Sequence, residues 1–125
     1  MTPKPKILAI ETQLPVYSRP TEEIVELMGM HLQGQPDRFQ KKVLRIFKYA
    51  QVDQRYSIVP EARVFAPLSF EEKNDHYIEK AIELAEQVLQ KALDSAGLES
   101  RDLDYIITVS CTGFMIPSVD AYLIN

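Results

Sequence analysis

The chain has 125 residues, 46% of them hydrophobic, and its 14 basic and 18 acidic side chains leave a formal charge of −4. That is enough length and apolar content for one small domain with a core, and the charge balance gives no general affinity for nucleic acid or anionic membranes. No apolar run approaches the ~18 residues of a membrane span. The opening MTPKPK leads into a strand pattern without a signal-peptide core, and the lone Cys111 forms no internal disulfide, which suits a reducing cytoplasm.

In chain order, Lys6–Thr12 reads as a first strand closed by Gln13-Leu14-Pro15, with Val16 to Pro20 as connector. Pro20-Thr21-Glu22-Glu23 supplies a cap-like hydroxyl and two first-turn acids, predicting a helix from Thr21 to about Leu32. Its apolar face is Ile24, Val25, Leu27, Met28 and Leu32, with His31 facing solvent near its end. A second helix, Asp37–Ala50, places Phe39, Val43, Ile46, Phe47 and Ala50 on one face and Arg38, Lys41, Lys42, Arg45 and Lys48 on the other. Val52–Val59 is a short extended piece, and Pro60 to Pro67 is loop. Ser69-Phe70-Glu71-Glu72 is a capping-box signature. It precedes a long amphipathic helix from about Asn74 to Ala96, which Gly97 ends as the residue free to take φ > 0.

The last stretch carries the strongest positional signal. Tyr105–Val109 is a nearly continuous apolar, β-branched run that predicts a strand buried on both faces. It breaks at Ser110-Cys111-Thr112-Gly113, and Pro117-Ser118 opens a further helix from Val119 to Ile124. A buried strand ending in a small polar turn before a helix is where open α/β sheets place ligands. Two strand candidates make a poor sheet, so the pattern is expected to form part of a larger fold.

Two features bear on chemistry. Five of the 14 basic side chains fall between Arg38 and Lys48 with no acid among them. Such a face suits phosphate groups, which Lys and Arg hold through charge-assisted bonds; it is equally the pattern of a solvated helix face, the commoner case. Cys111 lies at a strand end, but a nucleophilic thiol needs a neighbouring His or a helix dipole to lower its pKa. Neither His31 nor His76 is placed beside it by any feature of the sequence.

Asp102-Leu103-Asp104-Tyr105-Ile106-Ile107, the Cys111-Thr112-Gly113 turn and Pro117-Ser118-Val119-Asp120 together resemble the amino-terminal part of the type III polyketide synthases. These are chalcone and stilbene synthase-like enzymes of the thiolase superfamily. Ile7–Pro15 resembles the family's opening strand, with Glu11 where Gly is usual, and Lys42-x-x-Arg45 and Arg55-Tyr56 fall at the family's spacing. The resemblance spans nearly the whole chain but about a third of a full-length member. It implies an α/β class, the amino-terminal portion of a thiolase-like αβαβα fold, in a domain incomplete at its C-terminal end.

The resemblance further implies a homodimeric, cytoplasmic acyltransferase that condenses a starter acyl-CoA with malonyl-CoA. No tightly bound cofactor or metal, no nucleic acid and no membrane insertion are expected. Lys42 and Arg45 match positions that bind the phosphates of CoA, and Tyr49 stands where a third basic residue is usual, with Lys48 beside it as a substitute. Cys111 and Thr112 match the cavity wall, and Ile116 matches a position that crosses the dimer interface. The catalytic Cys, His and Asn are expected beyond Asn125, leaving Cys111 a wall residue. The alternatives are a ketoacyl synthase III-like or HMG-CoA synthase-like condensing enzyme, or a non-catalytic CoA-binding or dimerisation module.

Overall fold

The computed structural model describes residues 4–124 and is a mixture of helix and short strand in two compact units. The middle unit, Pro15–Pro67, begins with strand β1 (Tyr17–Pro20), followed by helices α1 (Thr21–His31) and α2 (Asp37–Ala50), strand β2 (Gln54–Ser57) and a single turn of helix, α3 (Glu61–Val64). β1 and β2 pair antiparallel, with Tyr17 opposite Ser57 and Pro20 opposite Gln54. The connector expected at Val16 to Pro20 is therefore mostly a strand, and the loop expected at Pro60 to Pro67 contains α3.

α1 has the predicted extent to within a residue, and Ile24, Val25, Leu27 and Met28 are half-buried with Leu32 buried just after it. Its entry differs from expectation. Pro20 occupies the cap position, and Thr21, the first helical residue, instead donates its N–H to the Asp53 carbonyl (2.7 Å) and its hydroxyl to that of Val52. Those bonds fasten the start of α1 to the segment leading into β2.

α2 also has its predicted bounds, with a shifted apolar stripe. Gln40, Val43, Leu44 and Phe47 are half-buried, whereas Phe39, Ile46 and Ala50 are exposed. The spacing i, i+3, i+4, i+7 is that of one helix face, and the Arg55 guanidinium of β2 covers Phe47 at 4.8 Å from the ring centroid. Which neighbouring turn of side chains faces inward was decided by what packs there.

The other unit combines the residues before Pro15 with everything from Leu68 onward. Its centre is α4 (Phe70–Ala96), which starts one turn earlier than predicted because the Ser69 capping box forms: Ser69 Oγ accepts from Glu72 N–H (3.1 Å) and Glu72 Oε2 accepts from Ser69 N–H (2.8 Å). Gly97 ends the helix at φ 67°, and Leu98 N–H reaches back to the Leu93 carbonyl at 3.0 Å. The outer face is a solvated charge surface: Lys80 pairs with Glu83 (2.7 Å) and Glu79 (3.1 Å), and those carboxylates raise its pKa. A 3₁₀ turn at Ser100–Asp102 and a short helix α5 (Val119–Leu123) complete the unit. Any continuation of α5 to Asn125 lies outside the described residues.

The two long strands predicted for this unit do not form. Lys6–Thr12 and Tyr105–Val109 have no ladder partner among the described residues, and Tyr105, Ile107 and Val109 are 90%, 88% and 94% exposed. A strand exists only where a neighbour takes up its backbone N–H and C=O groups. β-branched composition cannot supply that neighbour. The first run is held through side chains instead, Ser95 Oγ donating to Glu11 (2.6 Å) and the Lys91 ammonium to the Gln13 carboxamide.

Candidate functional site

The six site residues read from the sequence fall into two clusters, one in each unit, and each is described by itself. Lys42, Arg45 and Lys48 are all exposed on α2. The half-buried Val43–Phe47 side fixes the roll of the helix and turns the basic side outward. Lys42 and Arg45, three residues apart, are neighbours on one face with Cβ atoms about 5–6 Å apart. Lys48 lies about 120° round the axis from Lys42 but three residues beyond Arg45, so it extends the charge on the far side of Arg45.

Tyr49 stands between Lys42 and Arg45 in helical projection, and its ring lies under the Arg45 guanidinium at 5.4 Å. The residue that departs from the basic pattern thus holds Arg45 in place by cation–π contact. The i, i+4 spacing of the pair was legible in the sequence. Lys41 pairs with Asp37 at 3.7 Å, while Lys42 and Lys48 have no carboxylate partner among the described residues. The two lysines keep their charge available for an anion.

The second cluster is the turn after Tyr105–Val109. Ser110 Oγ donates to the Gly113 carbonyl (3.3 Å) and accepts from Thr112 N–H (3.4 Å), curling the chain on itself. Cys111 and Thr112 are exposed, Ile116 is 94% exposed, and the Ile116–Pro117 peptide is cis. The Cys111 thiol is free and exposed. Among the described residues it has no hydrogen bond to His31 or His76, the imidazoles that could activate a thiol.

α4 grips this turn through three side chains on one face, Phe70, Asn74 and Tyr77. Asn74 Nδ2 donates to the Phe114 carbonyl (3.0 Å), and its Oδ1 accepts from Phe114 N–H (3.1 Å). The Phe70 and Phe114 rings stack at 5.9 Å. A Cβ on Gly113 would run into the Tyr77 ring. Downstream, Asp120 Oδ1 accepts from Ser118 Oγ (2.6 Å) and Thr108 Oγ1 (2.8 Å), and these hydroxyls hold its carboxyl below the usual range. Sequence reasoning had no means of pairing Asn74 with Phe114, 40 positions away. Among the described residues no three His, Cys, Asp or Glu side chains gather as a metal-ligand set, and no helix is long and apolar enough to cross a membrane.

No family profile matches the chain, but individual relatives do. It is 42% identical to the 1,3,6,8-tetrahydroxynaphthalene synthase of Streptomyces coelicolor over 82 residues, 66% of this chain and 22% of that protein. It is 31% identical to the phloroglucinol synthase of Pseudomonas fluorescens over 81 residues, 65% of this chain and 23% of the relative. The chain therefore spans less than a quarter of either relative in the matched stretch. Among solved structures, the Streptomyces coelicolor tetrahydroxynaphthalene synthase, described as a bacterial type III polyketide synthase, superposes at a TM-score of 0.82 with 35% identity, over 92% of this chain and 32% of that one. The expected thiolase-like α/β class holds for this portion of the fold. With the sequence and the backbone in agreement over most of its length, the chain belongs to the type III polyketide synthases.

Proposed function

We propose that this chain serves an acyltransferase of polyketide biosynthesis, in which a starter acyl group leaves its CoA thioester and is extended by decarboxylated malonyl-CoA. The observation that carries this reading is the Lys42–Arg45 pair, exposed on one helix face and with no carboxylate partner among the described residues. Phosphates bound there would gain two cationic donors, one pre-oriented by Tyr49. Lys48 supplies longer-range attraction. Cys111 and Thr112 form wall rather than machinery, in keeping with a Cys111 thiol that has no hydrogen-bonded base among the described residues. Ile116 is the residue that crosses to a second subunit: an apolar side chain 94% exposed at a turn tip suits insertion into a partner's cavity.

CoA-agarose retention tests the reading. The Lys42→Glu/Arg45→Glu chain should elute at markedly lower salt than the parent. A Lys73→Glu/Arg63→Glu chain, with the same change in net charge, should elute with the parent. Equal retention of all three would remove the CoA assignment. In parallel, intact mass after incubation with hexanoyl-CoA and malonyl-CoA should show no adduct on Cys111, and a stable acyl-Cys111 would make it the nucleophile.

A further inference from the structure

Asn74 does something unusual for a residue on a helix surface. A side-chain carboxamide carries a donor and an acceptor side by side, and here both are spent on the two backbone groups of one residue, Phe114. That is the pairing a neighbouring strand would make, delivered by a side chain. Phe70, Asn74 and Tyr77 follow at i, i+4 and i+7, so they form one face of α4. Along that face a stacked ring, a two-point hydrogen bond and a flat ring against Gly113 meet successive parts of the turn. The helix beneath is capped at both ends, which makes the face a rigid template.

The turn needs such a template. The run before it has no ladder partner among the described residues, and the hydrogen bonds of Ser110 are internal to the turn, shaping it without placing it. Asn74 ties it to a different element. Alternatives at position 74 do not replace this geometry: Ala has neither group, Asp lacks the donor, and Gln carries the amide one methylene further out.

We propose that Asn74 is a positioning residue for acyl-chain selection: its carboxamide locks the Gly113–Phe114 backbone and thereby sets where the Cys111–Ile116 wall stands. The proposal rests on the reading of that turn as an acyl-cavity wall, and the test separates the two.

Amide hydrogen exchange and calorimetric binding of hexanoyl-CoA against CoA are measured on the full chain for Asn74→Ala, Asn74→Asp and the wall variant Thr112→Phe. Asn74→Ala should speed exchange at Phe114 about tenfold, leave the amides of residues 80–95 protected, and narrow the preference for hexanoyl-CoA over CoA. Asn74→Asp keeps the acceptor for Phe114 N–H and should show a smaller effect of the same kind, a comparison that survives if the alanine variant folds poorly. Unchanged Phe114 exchange in both variants overturns the clamp. Faster exchange with unchanged preference, while Thr112→Phe alters it, overturns the positioning role and leaves the wall reading standing. If Thr112→Phe also leaves the preference unchanged, the wall reading falls and the selection role falls with it.

Discussion

Gly113 lies so close to the Tyr77 ring that an added methyl meets the body of the ring rather than a movable tip. Gly113→Ala should therefore cost on the order of 1–3 kcal/mol, the usual range for overpacking, read as a lower urea midpoint at unchanged slope. Tyr77→Ala should absorb most of that cost in the double variant, because it removes the obstructing ring. Additive losses would place the strain elsewhere. At this scale the sequence was informative about chemistry and silent about partners. The basic face that includes Lys42 and Arg45 followed from helical periodicity, and the choice of those two from the family resemblance. The pairing of Asn74 with Phe114 depends on two segments 40 residues apart meeting, which no local pattern encodes.

α5 is five residues long and too short to be stable by itself, so its start depends on Asp120 holding Ser118 and Thr108 together. With its folded-state pKa lowered by those hydroxyls, first Ser118 and then Thr108, Asp120 stabilises the fold at pH above its unfolded value. That contribution is lost as pH falls through the lower folded value, so the window lies below about pH 4. Carboxyl chemical shifts followed through an acid titration should show Asp120 titrating lower than an ordinary aspartate. In Thr108→Val it should move part of the way back, and an unmoved value would assign the effect to Ser118 and the Asp120 backbone N–H. Element existence followed the local signals wherever those signals close on themselves. The Ser69 capping box and Gly97 bounded α4 through bonds made within a few residues. β1 and β2 were not foreseen as a pair because their ladder joins segments separated by two helices.

Among the described residues only Leu32 and Leu93 are buried, while the runs at Ile7–Ile10 and Tyr105–Val109 stay largely open. Extended apolar segments with unpaired backbone template further pairing. The isolated chain should bind the dye ANS and sediment with a weight-average mass that rises with concentration. Ile107→Lys should reduce both while preserving far-UV helicity, and an ANS-silent monomer at all concentrations would show these runs to be covered in solution. The sequence by itself determined helices α1, α2, α4 and α5, the caps of α4, the solvated and basic faces, and the family, because all of these rest on spacing and residue type within a few turns of chain. Tertiary structure alone decided which face of α2 turns inward, that Tyr49 braces Arg45 rather than merely replacing a lysine, and that α4 carries the Gly113–Phe114 turn. It also decided that the two most strand-like runs form no ladder among the described residues. A helix satisfies its backbone from within, whereas a strand or a turn takes its partners from wherever the rest of the chain happens to pass.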